Sequence, residues 1–290
     1  DLNLGGGKAV IIGDPEKDKS PQLFKSFGLY VSSLGGRYIT AKDAGVTTED
    51  LQKISQGTPY VIGRPESYGG VGDPSRSTAL GVYYGILSAV KWKLKKDSLE
   101  NLKISVQGAG SVGFALIEHL VKEKAEVYVS DVKDTILDRV KKSFPSIKIV
   151  EPDKILSIPC DVFSPCALGG VIDGTALDIM DCSIIAGGAN NVLSTSSMAE
   201  KAKDRKLLYV PDFIINSGGL IYVFAGLPPL KSSEWIENKI KGIYNTLTRI
   251  FQMSEEQDIT TGECAFLLSE ERMDDVDPSS FYLGGSKNGG

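Results

Sequence analysis

One segment limits the possible folds more than any other. "LKISVQ" reads as a short buried strand, "GAGSVG" follows at once, and the apolar positions Val112, Leu116, Ile117, Leu120 and Val121 recur at helical spacing. Gly108, Gly110 and Gly113 thus stand in G-x-G-x-x-G order between a strand and a helix, the context this otherwise weak pattern needs. Gly108 permits the tight turn, Gly110 lets a pyrophosphate approach the backbone, and Gly113 permits close helix–strand packing. Ser111 and Val112 open the helix within the same turn and join the candidate cofactor contacts. Asp131 closes the next strand, "AEVYVSD", 18 residues after Gly113. A carboxylate there accepts hydrogen bonds from ribose hydroxyls and repels a 2′-phosphate, so NAD is expected over NADP.

The pattern repeats. Further apolar runs, "IKIV" at 147, "CDVFSP" at 160, "CSIIAGG" at 182 and "KLLYVPD" at 206, bring the strand candidates to six, with helix-length segments between several of them. Alternation of this kind predicts a parallel sheet. The first 70 residues read as a second α/β unit, with "AVII", "RYIT" and "PYVIG" as strands and "SPQLFKSFGLYVSSLGG" as a helix with a glycine stop. "GDPSRSTALGVYYGILSAVKWKL" starts a helix joining the two units. After "PDFIINSGG" the pattern is helical to about residue 272. The expected organisation is therefore α/β with two domains: residues 1–75, a partial substrate domain; 76–215, a Rossmann-type NAD domain; and 216–290, helices returning to the substrate domain, with a mobile Gly/Ser-rich tail from about 277.

Composition narrows the chemistry. A net charge of -5 offers no footprint for nucleic acid or anionic membrane. Apolar runs fall short of the roughly 18 residues of a spanning helix, so no membrane partner is expected. The four cysteines, Cys160, Cys166, Cys182 and Cys264, form no C-x-x-C pair; zinc is not expected, and scattered thiols suggest a reducing cytoplasm. His119 is the single histidine and lies in an amphipathic helix, which argues against a Ser-His-Asp triad or a multi-histidine metal site. Lysine and carboxylates must then do the proton work. Lys8 in "GGGK" reads either as a solvated loop lysine or as an amine cleared of side chains so that a substrate can reach it; it is not a Walker loop. A partly buried amine beside another cation can act as a base near neutral pH. Asp43, after "RYITAK", reads by itself as a turn carboxylate.

The motifs "LNLGGGKAVIIGDP", "GRYITAKDAG", "VQGAGSVG", "PCALGGVID", "IAGGANNVL" and "PDFIINSGGLIYV" occur in one order. Together they make the chain resemble the Glu/Leu/Phe/Val dehydrogenases from residue 1 to about 272, nearest to the leucine branch. The resemblance implies NAD-dependent oxidative deamination of a branched-chain, leucine-like L-amino acid to its 2-oxo acid and ammonia, with the reverse amination, by a cytoplasmic homo-oligomer acting on a small-molecule substrate. It makes Lys8 and Asp43 the catalytic pair, with Lys8 activating water and Asp43 shuttling protons to and from the amine. Thr78 matches the threonine on the nicotinamide carboxamide, and Asn191 an asparagine beside the nicotinamide ribose and the substrate. Cys166 and Ala167 line the cofactor side, although Cys166 also reads as a small buried residue. Gly6, Gly7, Ala41, Asn216, Leu220 and Val223 are placed against the substrate. Leu220 and Val223 share a helix face at i, i+3, which argues for an apolar side chain and equally for plain core packing. A phenylalanine- or valine-type dehydrogenase, or a catalytically impaired dinucleotide-binding homologue, are the alternatives. In the family a second lysine, about a dozen residues before the one matching Lys8, binds the substrate carboxylate. That position falls before Asp1, so the sequence as given is expected to lack an N-terminal segment and to bind NAD with little turnover.

Overall fold

The computed structural model describes residue 2 and residues 4–43, 45–64, 72–227 and 229–275. The expected tail from about 277 lies outside these residues. The chain divides into two compact units, one of residues 1–74, 222–232 and 274–290, the other of 75–221 and 233–273.

The first unit rests on two helices, α1 (Pro21–Ser33) and α2 (Thr48–Ser55). The Ser20 hydroxyl accepts from the Leu23 N–H at 3.1 Å and Pro21 presets the first turn. Helix α2 starts on a capping box: the Thr47 hydroxyl accepts from the Asp50 N–H while the Asp50 carboxylate accepts from the Thr47 N–H. A Cβ on Gly28 of α1 would lie 2.3 Å from the Ile54 carbonyl oxygen, so these backbones meet with no side chain between them. Phe24, Leu51, Ile54 and Val61 form the core beside them. Asp50 is buried and bound by Lys19 at 2.7 Å and Lys53 at 3.3 Å. Burial alone would raise its carboxyl, but the bonds from Lys19, Thr47 and Lys53 hold it at about 2.

Of the three expected strands, "RYIT" and "PYVIG" contribute one parallel bridge, Thr40↔Val61, and "AVII" forms no strand. Residues 9–12 make no ladder with any described segment, and Val10 and Ile12 are 78% and 99% exposed. A strand exists only where a neighbour accepts its backbone bonds, and apolar β-formers without one remain extended coil.

The second unit opens with α3 (Ser75–Leu94). It continues through β1 (Lys103–Gln107), α4 (Ser111–Lys122), β2 (Glu126–Ser130), α5 (Asp134–Ser143), β3 (Lys148–Ile149), β4 (Val162–Pro165), α6 (Gly174–Ile179), β5 (Ile184–Ile185), α7 (Ser197–Asp204) and β6 (Leu208–Tyr209). Then come α8 (Asp212–Ile215), α9 (Gly218–Ala225), whose last turns belong to the first unit, α10 (Ser233–Gln257) and α11 (Thr261–Asp274). All six expected strands form one parallel sheet in the order β3-β2-β1-β4-β5-β6. Register runs Ile104↔Val127 on one side of β1 and Ile104↔Val162 on the other. Consecutive residues Ile104, Ser105 and Val106 are all buried, as are Val162, Phe163 and Ser164, so both faces of the sheet centre are covered. Of the C-terminal stretch, 222–232 fall in the first unit and 233–273 in the second. The reason is α10 lying along α3: Ser88 bonds Tyr244 O at 3.1 Å and Thr248 at 3.0 Å, and a Cβ on Gly85 would come within 3.0 Å of Leu247. No described helix is long and apolar enough to cross a membrane.

Candidate active site

The strand order reverses between β1 and β4, and open α/β sheets bind ligands at the carboxyl ends of strands at such a point. There the chain gathers its glycines. Gly108 has φ +91°, and a Cβ on it would lie 2.7 Å from the Ala167 Cβ. A Cβ on Gly113 would lie 2.0 Å from the Gly108 carbonyl oxygen. Gly110 differs: nothing lies within 4 Å of its Cβ position, and as N-cap of α4 it leaves the helix without a side-chain cap. The start of α4 thus has open space beside Gly110 and no side-chain cap, and a helix N-terminus favours an anion. Ser111 is exposed there, and Val112 is half-buried, 2.9 Å from a Cβ placed on Gly188.

Asp131 is half-buried beyond β2. Its Oδ2 accepts from the Ala109 N–H at 2.8 Å and its Oδ1 from the Lys133 N–H at 3.0 Å. The carboxylate is thus fixed against the glycine turn while each oxygen retains acceptor capacity. A dinucleotide fits these residues: the open Gly110 position admits a pyrophosphate, and Asp131 is held as an acceptor beside it.

Cys166 follows β4, its N–H donating to Gln107 O at 2.7 Å. Burial pushes its thiol pKa up, which suits a small lining residue rather than a nucleophile. Ala167 is exposed next to it. Gly169 packs its backbone on the neighbouring loop, where a Cβ would stand 2.4 Å from Asn190 O and 2.8 Å from Asn191 O. Asn191 is exposed and takes φ +51°, a conformation asparagine tolerates better than most residues. The side-chain link in this loop belongs to its neighbour: Asn216 Nδ2 donates to Asn190 Oδ1 at 2.5 Å and to Gly188 O at 3.4 Å. Asp212, 9% exposed, pins the loop by accepting from the Val192 N–H at 3.1 Å and the Phe213 N–H at 2.7 Å. Sequence reasoning passed over both Asn190 and Asp212; the doubled asparagine and the aspartate opening α8 were the available signals. Thr78 is half-buried in the first turns of α3. Its neighbour Ser77 O lies 2.1 Å from a Cβ placed on Gly218, so α3 and the "INSGG" turn meet backbone to backbone.

In the first unit, the Lys8 Nζ donates to Asp43 Oδ2 across 35 residues of sequence. Both side chains are open, 70% and 55% exposed, so Lys8 is not a partly buried amine. Gly5 and Gly6 have nothing within 4 Å of their Cβ positions, and a Cβ on Gly7 would crowd the Tyr38 ring at 3.1 Å. Ala41 is exposed two residues before Asp43. On α9, Leu220 is 59% exposed and Val223 8%, so the two do not share one environment. His119 stacks on Tyr83 with centroids 5.0 Å apart, and burial lowers its pKa. Among the described residues no group of three His, Cys, Asp or Glu is placed to hold a metal ion.

Two family profiles match the chain: Glutamate/Leucine/Phenylalanine/Valine dehydrogenase over residues 69–141 and 131–257, and Glu/Leu/Phe/Val dehydrogenase, dimerisation domain, over 1–60. Leucine dehydrogenase of Thermoactinomyces intermedius is 40% identical over 273 residues, 94% of this chain and 74% of that protein. Phenylalanine dehydrogenase of Caldalkalibacillus thermarum is 41% identical over 278 residues, 94% of this chain and 75% of that protein. The crystal structure of L-tryptophan dehydrogenase from Nostoc punctiforme superposes with a TM-score of 0.81 at 39% identity, covering 93% of this chain and 77% of that one.

Proposed function

This chain belongs to the Glutamate/Leucine/Phenylalanine/Valine dehydrogenase family, and from that premise we propose that it catalyses NAD-dependent oxidative deamination of a branched-chain, leucine-like L-amino acid, and the reverse amination. The observation that carries the reading is the Lys8–Asp43 pair, an amine and a carboxylate joined by the fold beside two glycines that leave the approach open. Bound at the glycine turn, the nicotinamide dinucleotide supplies the hydride acceptor. Gly110, Ser111 and Val112 would hold its pyrophosphate in the turn that Gly108 and Gly113 shape, and Asp131 would select NAD by accepting from the ribose hydroxyls. Thr78, Cys166, Ala167 and Asn191 are assigned to its nicotinamide half.

Lys8 Nζ orients and activates water against the substrate carbon and stabilises oxygen charge as it develops. Asp43 takes the proton from the substrate amine and returns it in the reverse direction, its Oδ2 already bonded to Lys8. Because both groups are exposed in this structure, their electrostatic coupling is weak until substrate displaces water from around them. Gly6, Gly7, Ala41, Asn216, Leu220 and Val223 are assigned to the substrate, with Asn190 holding the Asn216 amide in place. An apolar Val223 offers no partner to a second substrate carboxylate, which favours a monocarboxylic amino acid. The match of residues 1–60 to the family's dimerisation domain supports a homo-oligomer, and four free thiols suit the cytoplasm.

A second reading, an aromatic amino acid as substrate, draws on relatives named for phenylalanine and tryptophan at 41% and 39% identity. Initial rates with leucine, valine, isoleucine, phenylalanine, tryptophan and glutamate, each with NAD and with NADP, decide between them. The highest kcat/KM on an aliphatic substrate is expected; an aromatic optimum establishes the second reading, and an optimum on glutamate refutes both.

A further inference from the structure

Cys160 stands two residues before β4 and Cys182 two residues before β5. The parallel register Val162↔Ile184, carried back two residues, sets the two cysteines opposite each other on one face. The backbone keeps them there: the Cys160 N–H donates to Asp181 O at 2.9 Å, and the Ser183 N–H to Asp161 O at 3.3 Å. Neighbouring strands lie about 4.8 Å apart, inside the roughly 4.4–6.8 Å Cα separation that a disulfide spans. The two thiols are neighbours that influence each other's ionisation, and both side chains are only partly buried. Buried Ser105 of β1, whose hydroxyl has no hydrogen-bond partner, lies near the Cys160 sulfur. The neighbouring Cys182, and to a lesser degree Ser105, hold the Cys160 thiol below the ordinary cysteine range despite burial and the nearby Asp161; the same pairing, burial and Asp181 push Cys182 up. One thiol is thus disposed to ionise and the other to remain protonated beside it.

We propose that Cys160 and Cys182 form a reversible redox site, in which a hydroperoxide converts the pair to a disulfide bridging β4 and β5. The Cys160 thiolate attacks a peroxide oxygen; the O–O bond breaks, the peroxide is reduced to water or alcohol, and Cys160 becomes a sulfenic acid. The Cys182 sulfur then attacks the Cys160 sulfur; the S–S bond forms, the S–O bond breaks, and the hydroxyl leaves with the Cys182 proton as water. The site lies at the amino-terminal ends of its strands, whereas the glycine turn follows the carboxyl end of β1. Closing the bridge links two sheet strands without occupying the cofactor position. Cys166, with its thiol raised by burial, and buried Cys264 lie outside the pair.

The test treats the native protein with about one equivalent of hydrogen peroxide and maps it without reduction. Trypsin leaves Cys160, Cys166 and Cys182 on one peptide, since no Lys or Arg falls between Lys154 and Lys201. Cleavage before Asp161, Asp173 and Asp181 puts the three on separate peptides. A Cys160–Cys182 cross-linked peptide that disappears on adding a dithiol is the expected result. No link, or a link through Cys166 or Cys264, overturns the proposal. In a Cys182→Ser variant the reaction stops at the sulfenic acid, so a dimedone adduct on Cys160 is expected; its absence in the folded variant, or capture on Cys166 instead, overturns the assigned order. Should that variant fail to fold, the native cross-link map alone decides.

Discussion

Replacing Gly110 and Gly113 in turn by alanine separates what the fold needs from what the cofactor needs. At Gly113 the new Cβ falls 2.0 Å from the Gly108 carbonyl oxygen, where ordinary contact begins at about 3.4 Å. The turn must therefore open by more than about 1 Å, and the obstacle is backbone rather than a side-chain end that can swing away. Overpacking of this kind costs about 3 kcal/mol, and the gain in helix propensity from glycine to alanine offsets about 1. A net loss of about 2 kcal/mol lowers Tm by about 4–8 °C for a unit of this size. Gly110 has φ −61°, outside the left-handed region that favours glycine, and its Cβ meets nothing within 4 Å. Its cost is the smaller N-cap preference, about 1 kcal/mol or 2–4 °C. That Cβ does occupy the space assigned to the pyrophosphate, so Gly110→Ala is expected to weaken NADH binding at least about 10-fold, equivalent to about 1.4 kcal/mol. Calorimetric Tm and fluorescence titration with NADH give both numbers. A Gly110→Ala protein that binds NADH like the parent refutes the placement of the pyrophosphate. A Gly113→Ala protein with unchanged Tm refutes the packing argument.

Lys8→Ala and Asp43→Asn are expected to lower kcat at least about 100-fold with cofactor affinity unchanged, measured as NADH formation in the active enzyme; near-normal turnover removes the residue concerned from the mechanism. Asp131→Ala should narrow the NAD/NADP ratio of kcat/KM, and because it also strips the acceptor from the Ala109 and Lys133 N–H groups it should lower stability by about 1 kcal/mol. An unchanged ratio would place Asp131 away from the ribose. Asp50 has a folded pKa of about 2 against 3.8 unfolded, so its stabilisation is complete above pH 3.8 and is lost as pH falls through 2. With Lys19 and Lys53 partly solvated this amounts to at most roughly 2 kcal/mol, so Asp50→Asn should unfold earlier in urea at pH 6 and differ little from the parent near pH 2, and equal midpoints at pH 6 would discount the network.

The six strands were legible because each is a short apolar run between helix-length segments, even where, as in β3, β5 and β6, only two residues complete the ladder. "AVII" carries the same local signal and forms no strand, because pairing is decided by a neighbour that no local pattern encodes. The crossing from one unit to the other falls inside α9, after Ile221, where unbroken helical periodicity gives no sign of it. The glycine turn could be read from spacing alone. The Lys8–Asp43 pair could not: 35 residues separate its members, and only the family resemblance joined them before the fold did. Between Asn190 and Asn191 the sequence offers two identical side chains, and backbone geometry alone distinguishes the one that reaches Asn216 from the one at φ +51°.

The junction between α3 and the "INSGG" turn has an evolutionary consequence. A Cβ on Gly81 would lie 2.9 Å from Ile215 O and one on Gly218 2.1 Å from Ser77 O, so Thr78 and Asn216 are spaced by main-chain atoms. Point mutation cannot trim a peptide bond, and it can only add bulk to a glycine. The spacing therefore lies beyond the reach of gradual adjustment, and variation that enlarges either glycine is purged as misfolding before it is sampled as altered activity. Leu220, one turn away and 59% exposed, is under no such restraint. Drift in a lineage carrying this scaffold should accumulate at positions like Leu220 while the backbone junction is inherited intact.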